Sequence, residues 1–312
     1  MKKGYIYILL ATVLFSTMEI ALKIVSNKFN PIQLTFLRFL IGSIILLPLA
    51  IKGLRSRHCR LKANDLAFFA LTGFICVVVS MVLYQLAILY AQASVVAVLF
   101  SCNTIFVVLF ACMLLHEKIY RYTVLSILVS MLGIVVIMNP AHMSGNMLGI
   151  VLTILSAVTF ALYNIVGRIR SDRYGGVALT CFSFSFGSLE MFLLILVTRI
   201  SHVAAFFTQA GLKSFASVPI LQGLSVQSLP SLVYIGIFVT GLGYTSYFLA
   251  MEETSAVTAS LVFFIKPALA PLLALIIIRE PITATMAAGI LLIIAGSLIY
   301  IIPGMQAKKT RA

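Results

Sequence analysis

GFICVVVSMVLYQLA (residues 73–87) and GIFVTGLGYTSYFLA (residues 236–250) are one segment written twice. Gly73, Tyr84 and Ala87 of the first fall on Gly236, Tyr247 and Ala250 of the second without a gap. The match runs on through residues 73–140 and 236–303, where Phe100, Glu117, Gly133 and Pro140 meet Phe263, Glu280, Gly296 and Pro303. Upstream, residues 4–43 match 149–188, with Gly4, Phe15, Leu34, Thr35, Phe39, Gly42 and Ser43 on Gly149, Phe160, Leu179, Thr180, Phe184, Gly187 and Ser188. The offset is 145 in the first block and 163 in the second, so the second copy holds 18 more residues, near 199–230.

Composition says what surrounds the copies. Of 312 residues 62% are hydrophobic and 10% charged, with a mean hydropathy of +1.15. A soluble domain is roughly half apolar and about a quarter charged. This much apolar surface suits lipid, and the strict alternation of a β-barrel is absent, so helices are the spanning form. Ten spans are expected, at 4–25, 31–51, 66–88, 93–114, 120–139, 147–167, 176–198, 230–250, 255–277 and 284–302. The opening Met-Lys-Lys followed by an apolar run has the start of a signal peptide. Residues 4–25 are long enough to span, however, and 149–170 repeats them, so they are read as the first helix.

Five spans per copy place the second copy upside down relative to the first. The expected fold is therefore an all-α membrane protein of ten transmembrane helices in two inverted five-helix repeats, residues 1–140 and 147–303, with a cytoplasmic tail at 304–312. Inverted repeats are a plan of secondary transporters, which bind substrate near midplane at the repeat interface.

Charge orients the chain. The net charge is +14. With the N-terminus inside, 15 of the 22 basic residues fall on the cytoplasmic side, grouped at Lys2–Lys3, Lys52–Lys62, Lys118–Arg121, Arg168–Arg173 and Lys308–Arg311. Five fall outside: Lys23, Lys28, Arg199, Lys213 and Arg279. This bias places both termini in the cytoplasm. It also accounts for the basic character without nucleic acid, for which no lipid-free basic face exists. The 199–230 connection then lies outside, and Ala204–Phe215 is expected to form a helix on the membrane surface.

The second half also carries LVYIGIFVTGLGY (232–244), SAVTASL (255–261), Lys266-Pro267, PLLA (271–274) and REPIT (279–283). These motifs resemble the EamA family of the drug/metabolite transporter superfamily. There, a span with small residues, a Tyr and an Ala leads to a Ser-Ala turn, a Pro-bearing helix and a Gly-Glu-Pro closure. The first half holds a weaker version at Tyr84, Ala87, Ala93-Ser94, Phe100 and His116-Glu117-Lys118. The resemblance covers nearly the whole chain. It implies a multi-pass transporter of a bacterial or archaeal cell membrane, most often an exporter of amino acids, related metabolites or drugs. The chain departs from the family at Lys266, where Glu is common before the internal Pro, and at His116 and Arg279, where Gly is usual.

Ionisable side chains inside spans are costly, about 2.5–3.5 kcal/mol on insertion scales, and tend to face a cavity or a partner. Glu19 and Arg38 both lie in the outer half of their spans, where they form either a structural ion pair or a cavity-lining pair. Glu19 also has Lys23 one turn on. Lys266 lies near midplane, and its repeat mate is Asn103. Glu190, whose mate is apolar Ile45, is a counter-ion for Lys266 or a proton carrier. Asn164, the mate of Glu19, sits beside Tyr163 as a substrate ligand or a helix–helix contact. Tyr84, Tyr244 and Tyr247 are wall or packing residues. The candidate substrate-binding set is Glu19, Arg38, Asn103, Tyr163, Asn164, Glu190, Tyr244 and Lys266.

The expected activity is proton- or gradient-coupled movement, by alternating access, of a small polar solute, best an exported amino acid or related metabolite. Lys266 or Arg38 would hold a carboxylate, and Glu19 or Glu190 an amine or the coupling proton. A multidrug or organic-cation exporter is the alternative and needs uncompensated carboxylates. No enzyme pattern is present: no HExxH, no Walker A loop, and at Gly241-Leu-Gly243 neither a preceding strand nor a third glycine. An intramembrane enzyme would need paired acid/base or metal-binding groups near one membrane face, and a structural subunit is the remaining class. No cofactor or metal is expected, since neither the five cysteines nor His58, His116, His142 and His202 have ligand spacing. Gly133 and Gly296 offer surfaces for a homodimer through helices 5 and 10.

Overall fold

The computed structural model describes residues 2–116, 121–138, 147–253 and 261–309. All regular structure among these residues is helical. Among the described residues seven helices are long and apolar enough to cross a membrane: Lys3–Val25, Pro31–Ser56, Ala63–Tyr90, Ala93–Leu114, Met147–Ser171, Gly176–Thr198 and Leu229–Ala250. Shorter apolar helices occupy Val124–Ile137, Ile265–Ile278 and Ala284–Gly296. Each falls where a span was expected.

Several spans are segmented. The first is α1 (Lys2–Ser16) and α2 (Met18–Val25), parted at Thr17, whose hydroxyl turns back to Leu14 O at 3.0 Å and meets Tyr234 Oη at 2.7 Å. The second is α3 (Pro31–Ser56). Asn30 caps it, its Oδ1 accepting from Ile32 N at 2.9 Å, and Pro31 stands at the first helical position, where no N–H is needed. The third is α4 (Ala63–Gly73), a π-helical stretch (Phe74–Ser80) and α5 (Met81–Tyr90). The fourth is α6 (Ala93–Ser101) and α7 (Asn103–Leu115), parted at Cys102. Then come α8 (Arg121–Met138), α9 (Met147–Tyr174) and α10 (Gly176–Thr198). The 199–230 connection holds α11 (Ser201–Gln209) and a 3₁₀ turn (Lys213–Phe215), which overlap the helix expected at 204–215. The eighth span is α12 (Leu229–Val233), a second π-helical stretch (Tyr234–Gly243) and α13 (Tyr244–Glu253). Last are α14 (Leu261–Ile278), which runs through Pro267 and Pro271, and α15 (Ala284–Lys309).

The packing follows the repeat. α3 lies against α10, the central pair, each being the other's mate. α3 also packs on the second π stretch, as α10 packs on the first. α1 touches α13 and α14, as α9 touches α5 and α7. α6 meets α14, and α8 lies along α15. Glycines make these approaches close. A Cβ on Gly187 would come within 2.7 Å of Val77 Cβ, and one on Gly42 within 2.6 Å of Thr240 Cγ2. Gly42 and Gly187 are repeat mates, and so are Val77 and Thr240.

Gly133 and Gly296 also have partners within the chain. Gly133 faces Gly289 and Ile293, and Gly296 faces Ser126 and Ser130, with Ser126 Oγ donating to Gly296 O at 2.6 Å. The homodimer surface expected on these glycines is therefore consumed by the α8–α15 contact.

The charged ends are tied locally. Asp65 takes Arg173 Nη2 at 2.9 Å, Tyr174 Oη at 2.6 Å and Lys62 N at 2.8 Å, joining α4 to the end of α9. Burial, then this bond to Asp65, raises the Tyr174 phenol above its ordinary range, so it stays a donor. Glu280 caps α6, accepting from Ala93 N at 2.9 Å, Ser94 N at 3.0 Å and Ser94 Oγ at 2.8 Å. Its mate Glu117 and the turn at 255–260 lie outside the described residues.

Candidate substrate site

Inside the bundle four elements bring polar side chains, and a fifth an aromatic ring, into an apolar interior. α2 supplies Glu19, α14 supplies Lys266, α5 supplies Tyr84, α3 supplies Arg38 and α6 supplies Phe100. Lys266 Nζ stands 2.6 Å from Glu19 Oε1, with each residue only 1% exposed. Tyr84 Oη donates to the same carboxylate oxygen. Glu19 Oε2 is buried without a hydrogen-bond partner. Lys266 Nζ also lies 5.6 Å from the centre of the Phe100 ring, whose face attracts a cation.

Arg38 is equally buried, at 1%. Its guanidinium meets two thioethers, Met81 Sδ at 3.3 Å and Met18 Sδ at 3.8 Å, and its Cζ is 4.6 Å from the Phe39 ring centre. Thioether sulfur is a weak acceptor. Among the described residues no carboxylate lies within ion-pair distance of Arg38. Glu19, Lys266 and Arg38 together leave one net positive charge in a low-dielectric interior.

This arrangement revises the expected pairings. Glu19 joins Lys266 of the other half rather than Arg38 or Lys23. Lys23 instead donates to Ile88 O at 2.6 Å and Ala91 O at 2.9 Å, closing the C-terminus of α5. Glu190 is not the counter-ion of Lys266; it makes no ion pair among the described residues, and its Oε2 is buried without a partner. Asn164 is exposed on the outside of α9 and does not join the cluster. A side chain at that helix position points away from the face that Tyr163 buries, because neighbouring residues on a helix lie about 100° apart. Tyr163 is buried and shares a hydrogen with Thr180 Oγ1 at 3.4 Å. Tyr244 packs edge-on against Phe15 (5.0 Å) and Phe184 (5.1 Å). Asn103 is 4% exposed, one turn beyond Phe100, and its Nδ2 has no partner.

Two residues escaped the sequence reading. Gln85 is fully buried with both amide atoms unpartnered, and Ser16 Oγ is likewise buried and unpartnered. Buried polar groups are nearly always bonded, so these unpartnered donors and acceptors stand out within the spans. Broken repeat symmetry was the available signal: Gln85 falls on Phe248 and Ser16 on Ala161. The trio Arg38, Met18 and Met81 likewise falls on Ser183, Tyr163 and Tyr244.

An all-helical multi-pass bundle with charged groups sealed at its centre is the architecture of a membrane transporter. The chain belongs to the EamA-like transporter family, whose profile matches residues 2–139 and again 147–302. It is 41% identical to an uncharacterized transporter of Clostridium kluyveri, over 96% of this chain and 93% of that one. It is 28% identical to an uncharacterized transporter of Archaeoglobus fulgidus, over 96% and 98%. A solved crystal structure shares the fold at a TM-score of 0.64 and 18% identity, covering 96% of each chain.

Proposed function

We propose that the chain is a secondary transporter of a small polar organic solute bearing a carboxylate, best an amino acid or close metabolite, moved outward by alternating access. The observation that carries this reading is the Glu19–Lys266 pair beside an Arg38 that has no carboxylate of its own. Arg38 is positioned to take a substrate carboxylate, for which its planar fork is suited. Glu19, sharing its charge with Lys266 across the two halves, is positioned to exchange that partner for a substrate amine or a proton. Glu190 is a second proton carrier in this scheme. The net positive charge disfavours the organic-cation alternative, which needs carboxylates without cationic neighbours.

In this reading the ten spans form two inverted repeats, both termini are cytoplasmic, and the halves rock about the midplane. Support comes from the double family match, the packing pairs that exchange under the repeat, and the basic-residue bias. The test is transport by purified protein in liposomes, against a panel of amino acids, other carboxylates and organic cations. Carboxylate-bearing solutes should move, and Arg38→Gln should weaken their apparent affinity at least tenfold. Unchanged kinetics in Lys266→Ala, or movement of organic cations alone, would overturn the assignment.

A further inference from the structure

At its basic end the bundle builds a cleft that the transport reading leaves unused. It lies between the last turns of α3 and the first turns of α10 and has a volume of about 540 Å³. Ile51, Leu54 and Phe182 form its apolar part, and Arg55, His58 and Arg60 its polar part. No carboxylate lines it. The acid nearest in sequence, Asp65, is already held by Arg173, Tyr174 and the Lys62 amide. Among the described residues neither Arg55 nor Arg60 has an ion-pair partner.

The backbone is bent to make this rim. Two residues beyond α3, His58 takes the left-handed region, φ 49°, while His58 N reaches Arg55 O at 3.1 Å and Cys59 N reaches Leu54 O at 3.0 Å. Such a reversal ordinarily uses glycine, which has no Cβ to crowd the following carbonyl. The turn carries an imidazole instead, and residues on both sides of it, Arg55 and Arg60, line the cleft. Cations at the mouth and apolar side chains behind them match a phospholipid, whose phosphate lies at headgroup level above its acyl chains. Basic pockets between transmembrane helices take anionic headgroups for this reason.

We propose that this cleft binds the phosphate of an anionic phospholipid. Arg55, His58 and Arg60 hold the phosphate, and Ile51, Leu54 and Phe182 cover the first methylenes of the chains. The proposal rests on the chain's place in a membrane and not on what it transports.

The test uses detergent-purified full-length protein, titrated with phosphatidylglycerol, phosphatidylcholine or inorganic phosphate. The readouts are the unfolding temperature and, by native mass spectrometry, retained lipid. Phosphatidylglycerol should raise the unfolding temperature by several degrees and remain as an adduct; phosphatidylcholine should do neither. R55Q/R60Q should lose most of the shift and retain at least tenfold less lipid. K52Q, at an exposed cation outside the cleft, should behave as the parent. If the double variant does not fold, R60Q alone should lose part of the shift. Equal effects of the two lipids, full retention in the arginine variants, or equal loss in K52Q would overturn the proposal. Protection by inorganic phosphate alone, abolished in R55Q/R60Q, would reassign the cleft to a soluble phosphate and overturn the lipid.

Discussion

A carboxylate and an ammonium removed from water hold their charges only in each other's company, so Glu19 and Lys266 depend on one another. Removing one partner of a buried pair leaves an uncompensated charge and costs about 3–5 kcal/mol. Glu19→Gln and Lys266→Met should each lower the unfolding temperature of the purified protein sharply. The combined variant, with no charge to strand, should recover most of that loss and still fail to transport. Thermal unfolding and liposome uptake on the same three proteins check this. Arg279 gives a second prediction. It and its mate His116 sit in the left-handed region at φ 56° and 54°, which glycine adopts without steric cost. Arg279→Gly should hold or raise the unfolding temperature, whereas Arg279→Val, β-branched in that region, should lower it. The ionisable residues at the centre were legible in the sequence because charge inside a span is conspicuous. Their pairing was not, because Glu19 and Lys266 lie 247 residues apart and hydropathy carries no information about which helices touch. Gln85 and Ser16 stayed hidden because an amide or a hydroxyl barely alters the apolar character of a span.

Helix ends in this bundle are closed by side chains from distant segments. Glu280 satisfies the first amides of α6 through three hydrogen bonds, and its negative charge also suits the positive end of the helix. Glu280→Ala should cost about 1–2 kcal/mol, in line with the loss of a strong N-cap, and Glu280→Gln less. Faster proteolysis or amide exchange confined to Ala93–Phe100 would locate the effect. The spans themselves were readable from length and apolarity. Their internal breaks at Thr17 and Cys102 and the two π stretches were not, since a widened or interrupted turn has the same hydropathy as a regular one.

The whole molecule is held by contacts that exchange under the repeat, with the Glu19–Lys266 pair as a link between halves that the repeat does not duplicate. Its orientation can be measured. In a background with Cys59 and Cys112 replaced by Ala, and Cys76, Cys102 and Cys181 buried, a cysteine at Lys213 should react with an impermeant maleimide on intact cells. One at Arg60 should react only after permeabilisation. The reverse pattern would invert the topology and with it the proposed direction of transport. The repeat also shows in one detail of the backbone. The π stretch Phe74–Ser80 falls on residues 237–243, inside the π stretch Tyr234–Gly243. A π turn holds one residue more than the α turn it replaces. Both copies carry that surplus residue, and they align across it without a gap. The two halves therefore widen the same span at the same place, seven residues in the first and ten in the second.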